Sequence, residues 1–266
     1  MSSDVSLVIP TYNESGSLPA VMETVSRLAD EHSLDLEIIV VDDMSPDGTA
    51  EVARRKASEL GGGAPGGPEG RFRILERRGP RGLTPAVAYG FEHAGGEFVG
   101  VCDADGSHDL RILPRMLELL ASGEWDLVVG SRYIPGGGAD ETWPMKRYLL
   151  SRLAALSARP LTPVRDPMAG FFFLRKSLLE RAPVGGSGYK VLLEILVRAA
   201  PGRVVEVPYV FRDRTAGESK LGAGVVLRDL RQLVGLYLFR LRHPLTRTRL
   251  RRADAAERSP GARDES

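Results

Sequence analysis

Short β-branched runs alternate with stretches of helical spacing through the first half of the chain. Apolar residues cluster at 5–9, 37–41, 72–75, 98–102 and 127–129, between polar or Gly/Pro-rich positions, which predicts strands. Between these runs, 18–28, 49–60, 84–93 and 112–121 repeat apolar residues at three- and four-residue intervals, which predicts helices buried along one face. Strands alternating with helices imply a mainly parallel α/β sheet. The segment GGGAPGGPEG, 61–70, can hold no regular element and reads as a surface loop. No strand runs directly into it, so a plain insertion is favoured over a phosphate cradle.

The second half is less regular. It predicts a helix near 147–158, a strand near 171–174, a helix near 190–198 and a strand at 204–210. A longer helix follows at 225–242, where Val226, Leu230, Leu233, Tyr237 and Leu241 share one stripe. Arg228, Arg231 and Gln232 lie largely off that stripe. No internal repeat occurs, and no composition break splits off a second globular domain. The expected organisation is an α/β catalytic domain over 1–222, an amphipathic helix over 223–243, and a basic, disordered tail over 244–266.

Composition narrows the class. The chain has 266 residues, 42% hydrophobic, enough for a buried core and too apolar for a disordered chain. One cysteine, Cys102, excludes a disulfide framework and a cysteine-rich zinc site; it reads as a buried strand residue. The opening MSSDVSLVIP has neither basic n-region nor long apolar core, so no secretory signal is expected. No run approaches the roughly 18–20 apolar residues of a membrane span. The expectation is a soluble or peripheral cytoplasmic protein. A net charge of +1 hides an asymmetry: 228–252 holds eight arginines against Asp229 alone, leaving the rest of the chain at −6. That implies an anionic partner for the C-terminal segment, a membrane surface or nucleic acid, or else a merely solvated helix face.

Open α/β sheets bind ligands beyond the carboxyl ends of their strands. Here three polar clusters sit at such ends: Pro10-Thr11-Tyr12-Asn13-Glu14, then Asp42-Asp43-Met44-Ser45-Pro46-Asp47-Gly48-Thr49, then Asp103-Ala104-Asp105-Gly106-Ser107-His108. Asp47 or Thr49 alone could be a helix cap. Three polar ends on one edge, two of them rich in aspartate, point instead to a shared cation. If the segment is extended, Asp103 and Asp105 face the same side and can hold one hard divalent ion, with phosphates and waters completing its shell. Ser107 and His108 are read as supporting groups. No G-x-G-x-x-G follows the first strand, and P-loop, H-E-x-x-H and G-x-S-x-G patterns are absent. The chemistry indicated is metal-bridged diphosphate binding.

These blocks carry a family resemblance. VSLVIPTYNES, EIIVVDDMSPDGT, GLTPAVAYGF, VCDADGSH and VVGSRY, in that order, resemble the family 2 glycosyltransferases of GT-A fold. The later DPMAGFF, GYKVLLEIL and VPYVFRDRTAGESKL look like dolichol-phosphate (polyprenol-phosphate) mannose synthases, so the likeness runs over residues 5–222. It implies a GT-A, Rossmann-like mixed and mainly parallel sheet flanked by helices. It implies that Pro10, Tyr12 and Glu14 line a nucleotide pocket, that Asp43 meets base or ribose, and that Asp103 and Asp105 hold Mg²⁺ or Mn²⁺. Arg132, Arg147, Arg214 and Lys220 would meet phosphates of donor and acceptor. Three positions depart from the pattern: Ala169 for a usual Ser, Pro80-Arg81 for a usual Lys, and Ser107 where many members place a metal-binding Gln.

The implied activity is inverting transfer of mannose from GDP-mannose to a polyprenyl phosphate. The same fold with a UDP-glucose or UDP-amino-sugar donor is the alternative, and a catalytically silent nucleotide-binding scaffold at a membrane is a second. A lipid monophosphate, with a second pKa near ~6, is already largely ionised at neutral pH and needs no carboxylate base. The Q-x-x-R-W block of processive polysaccharide synthases is absent. A lipid acceptor makes the membrane surface, at its cytoplasmic face, the expected partner rather than nucleic acid. Whether a separate membrane protein anchors the chain is left open.

Overall fold

The computed structural model describes residues 4–61, 70–140, 143–181, 184, 190–212, 223–243 and 249–250. The first half forms β1 (Val5–Thr11), α1 (Leu18–Glu31), β2 (Leu36–Asp42), α2 (Thr49–Glu59), β3 (Phe72–Glu76), α3 (Leu83–His93), β4 (Phe98–Val101), α4 (Leu113–Ala121) and β5 (Leu127–Ser131). The second half adds β6 (Gly138–Ala139), α5 (Met145–Ser157), β7 (Phe172–Arg175), α6 (Ser177–Arg181), α7 (Val191–Arg198), β8 (Arg203–Pro208), β9 (Val210–Phe211), α8 (Ala223–Arg242) and β10 (Arg249–Leu250). Eight strands build one sheet in the order β10-β8-β5-β7-β4-β1-β2-β3, and β6 pairs with β9 beside it. Every pairing is parallel except those of β7 with β4 and β5.

Alternation along the strands divides the core between the two faces of the sheet. Leu7 and Ile9 of β1 face α1 and α4, with Met22, Leu113 and Met116, whereas Val8 faces α3 and α7 with Val87 and Leu192. Gly100 of β4 is required by its neighbour, because a Cβ there would lie 2.1 Å from the Phe173 ring. A third apolar cluster, with Ala158, Leu161, Leu193, Val197 and Leu236, ties the end of α5 to α7 and α8.

The chain departs from its predicted outline in several places. The strand expected at 204–210 breaks at Tyr209, and the short α6 was not foreseen. Arg249–Leu250, inside the stretch expected to be disordered, pairs with Arg203–Val204. The stripe expected along the last helix divides. Leu233 and Tyr237 pack inward with Leu236, while Leu230 and Leu241 stay half exposed or more, with Val234 and Leu238. The domain packs beneath α8, so only part of the apolar stripe remains outside.

Candidate active site

From β1 the chain builds outward to β2 and β3, then returns to lay β4 on the other side of β1. The crevice between β1 and β4 is therefore the point where strand order reverses, the usual ligand position in an open α/β sheet. The loop after β1 carries Tyr12 and Glu14, and the turn after β4 carries Asp103 and Asp105.

Two loops on the β1–β2 side are stitched together. Asn13 N donates to Ser45 Oγ (3.0 Å), Glu14 N to Thr49 Oγ1 (3.0 Å) and Ser15 N to Asp47 Oδ2 (3.1 Å). Asp47 also accepts from Thr49 N and Oγ1. Burial raises the Asp47 pKa, but hydrogen bonds from Thr49 and Ser15 outweigh it and leave the carboxyl below its ordinary value. Asp47 and Thr49 thus act as fasteners. Pro10 ends buried in β1, and Tyr12 bonds to and lies beneath Arg81, whose guanidinium carbon is 4.8 Å from the ring centroid. Asp43 is not an open carboxylate. It accepts from Arg77 Nη2 (2.5 Å) and from Gly82 N (2.8 Å), with both side chains of the ion pair almost fully buried. Arg77 escaped the sequence reading because it looks like one of several arginines in ERRGPR.

The segment after β4 turns instead of running on extended. Gly106 takes φ of 74°, open to glycine at little cost, and the chain folds back so that Asp105 accepts from Ser107 N (3.0 Å) and Oγ (2.5 Å). The expectation of two aspartates on one side of an extended strand is therefore corrected: Asp105 is buried, while the Asp103 side chain is 35% exposed. Asp103 Oδ2 lies 3.1 Å from His108 Nε2. A Cβ on Gly170 would stand 2.9 Å from the same oxygen, so the DPMAGFF segment leaves the space that carboxylate occupies. Among the described residues no group of three or more His, Cys, Asp or Glu side chains is arranged to hold a metal. Two carboxylates are nevertheless a fitting donor set for a hard divalent cation that takes its other ligands from diphosphate and water. Cys102 is buried, and burial together with Asp103 and Asp105 pushes its thiol pKa up, so it stays an inert core residue.

Beyond β7, Arg132 is paired with a buried acid. Its backbone N, Nε and Nη2 all donate to Asp166, at 3.0, 2.7 and 2.8 Å, and Asp166 is wholly buried. Burial disfavours the Arg132 charge, but the Coulomb attraction and hydrogen bonds of Asp166 win and raise its pKa. Glu206 in turn accepts from the backbone N of Arg165 and of Asp166. Arg132 also lies over Tyr133 and Phe211, and Arg147 lies 5.7 Å from the Trp143 ring centroid. The Trp143 indole Nε1 is buried without a partner among the described residues. Arg214 and Lys220 lie outside the described residues. Asp166, Tyr209 and Trp143 were not singled out from the sequence. The first two sit inside recognised blocks, and Glu206, a lone acid in VVEVP, is a sequence sign of a buried polar network.

Known proteins resemble this chain. The family model described as glycosyl transferase family 2 matches residues 6–182. A dolichol-phosphate mannosyltransferase of Saccharomyces cerevisiae is 37% identical over 249 residues, covering 90% of this chain and 89% of that protein. One from Pyrococcus furiosus is 38% identical over 236 residues, 87% of this chain, which spans only 63% of that relative's length. Among solved structures, a mannosyltransferase from Pyrobaculum calidifontis in complex with GDP-Man and Mn²⁺ aligns with a TM-score of 0.60 at 22% identity, covering 91% of this chain and 65% of that one. Glucosyl-3-phosphoglycerate synthase of Mycobacterium tuberculosis aligns with a TM-score of 0.62 at 22% identity, covering 90% and 80%. These two share the fold. The sheet order, the crevice beside β1 and a family match over more than half of the residues lead to one conclusion: the chain belongs to glycosyl transferase family 2.

Proposed function

We propose that this protein transfers mannose, with inversion, from GDP-mannose to a polyprenyl (dolichyl-type) phosphate. The observation that carries the reading is the 37% identity to the yeast dolichol-phosphate mannosyltransferase across 90% of this chain. Transfer needs stabilisation of the departing nucleotide diphosphate and a nucleophile at the anomeric carbon. A divalent cation, Mg²⁺ or Mn²⁺, held by Asp103 and Asp105 would neutralise charge on the leaving diphosphate. Tyr12, Glu14 and the Asp43–Arg77 pair bound the nucleotide side of the crevice, with Pro10 beneath. The acceptor phosphate is itself the nucleophile, so the chain supplies positioning and positive charge instead of a base. With Arg132 held by Asp166, that charge is assigned to Arg147, Arg214 and Lys220.

A lipid acceptor requires the protein to dock at the bilayer, and no described helix is long and apolar enough to cross it. Among the described residues two helices carry most of the exposed large apolar side chains. Met145, Leu149, Leu153 and Leu156 line one side of α5, and Leu230, Val234, Leu238 and Leu241 one side of α8. The helices meet where Tyr237 Oη donates to Ser157 O. Arg231 and Arg242 flank the α8 stripe and suit anionic headgroups. This supports peripheral binding, assigned here to the cytoplasmic face, with or without a separate anchoring protein.

The test mixes purified protein with Mn²⁺ or Mg²⁺, polyprenyl phosphate and a panel of labelled GDP- and UDP-sugars. Metal-dependent formation of polyprenyl-phosphate mannose from GDP-mannose is expected. Preferred transfer from a UDP-sugar would move the donor assignment, and no transfer from any donor would overturn the enzymatic reading.

A further inference from the structure

The buried side of the Asp103 turn holds a chain of three polar groups. His108 Nε2 lies 3.1 Å from Asp103 Oδ2, and His108 Nδ1 lies 3.1 Å from the Tyr209 hydroxyl. The His108 side chain is only 2% exposed and Tyr209 only 3%. The imidazole is packed among the rings of Phe171, Tyr209 and Phe211, with centroids 5.3, 5.7 and 5.8 Å away. A carboxylate can only accept, so the proton on this side belongs to Nε2. In the neutral imidazole Nδ1 then accepts from the Tyr209 O–H, which burial keeps protonated. One neutral tautomer satisfies both contacts.

Tyr209 is itself fixed at the joint between β8 and β9. Its backbone N donates to Ser131 O, its carbonyl accepts from Gly138 N, and three residues later Arg212 N donates to Ser107 O. The turn carrying both aspartates is thereby fastened twice to the strand pair that leads into the FRDRTAGESKL block. Asp103 has a short, partly exposed side chain. A hydrogen bond to one of its oxygens from the buried side restricts how that carboxylate can turn.

We propose that His108 and Tyr209 are positioning residues for Asp103: Tyr209 aims the imidazole, and His108 holds the carboxylate in the orientation that meets a divalent cation. The proposal rests on the reading of Asp103 as a cation ligand. Tyr209→Phe removes one hydroxyl and keeps the ring in place, so it is the primary variant. Calorimetry at a series of Mn²⁺ concentrations, with GDP and UDP each titrated, reads the metal requirement without depending on acceptor or sugar. For Y209F the Mn²⁺ concentration giving half of the metal-induced gain in nucleotide affinity is expected to rise about fivefold, the worth of about one neutral hydrogen bond. Metal-free nucleotide affinity is expected to stay at the wild-type value, which a general loosening of the fold would not allow. His108→Gln keeps an amide donor for Asp103 and should shift the metal requirement less than His108→Ala. Unchanged metal dependence in Y209F overturns the proposal, as does an equal fall in metal-free and metal-bound affinity. If Y209F does not fold, equal metal dependence of H108Q and H108A overturns it instead. A wild-type protein whose GDP and UDP affinities both ignore Mn²⁺ would sink the cation site itself. A metal-responsive wild type whose variants keep the same Mn²⁺ requirement would sink only the positioning role.

Discussion

Asp166→Ala separates a structural from a catalytic role for Arg132. In the native protein Asp166 is wholly buried and accepts three hydrogen bonds from Arg132, two of them from a guanidinium that is itself almost enclosed. Removing the carboxylate leaves that guanidinium charged, since a guanidinium does not give up its proton in a protein even without its partner, and orphans the Arg132 amide. Breaking a buried ion pair from one side costs about 3–5 kcal/mol, because the remaining charge stays desolvated without compensation. At about 2–4 °C per kcal/mol for a chain of this size, the melting temperature should fall by about 6–20 °C. Calorimetric melting, with urea unfolding as a second probe, measures it. Replacing both partners by apolar residues, Arg132→Met with Asp166→Leu, should recover most of the loss, since the pair's Coulomb energy is largely offset by desolvation. Two results would refute the reasoning: an Asp166→Ala protein that melts within about 2 °C of wild type, or a double variant no more stable than the single one. A stable Asp166→Ala enzyme with lost transfer would return Arg132 to the phosphates.

Asp103→Asn, which keeps an acceptor for the buried His108 Nε2, should abolish metal-dependent transfer while leaving the melting temperature near wild type; retained turnover with normal metal dependence would remove Asp103 from the site. Asp105→Ala should lose activity and also about 1–3 kcal/mol of stability, measured by urea unfolding, because the buried Ser107 donors lose their acceptor. Gly170→Ala would force the Asp103 carboxylate to move by roughly half an ångström, so the Mn²⁺ needed for half-maximal transfer should rise several-fold at unchanged stability. Leu153→Asp with Leu238→Asp should cut co-sedimentation with anionic liposomes at least tenfold while GDP binding persists; unchanged sedimentation would take the membrane away from α5 and α8.

The sequence by itself determined the elements and their class. Periodicity placed β1 to β5 and α1 to α4 within a few residues of their observed ends, because an apolar run between turn residues has few other ways to bury itself. It also brought the right loops to one edge, since parallel strands joined by helices present all their carboxyl ends together. What each polar residue in those loops does was decided only by the tertiary structure. Asp43 and Arg77 lie 34 residues apart and Arg132 and Asp166 also 34, and nothing local in either member signals the partner. Tyr209 and His108, 101 residues apart, meet because β7 is inserted antiparallel between β4 and β5 and brings β8 to the far side of the same edge. The last helix makes the same point: its spacing showed an apolar stripe, but whether Leu233 or Leu230 faced the protein depended on Ala158, Leu161 and Val197 arriving beneath it. Local pattern fixes which side chains need burial or a counter-charge, and long-range packing decides which neighbour supplies it.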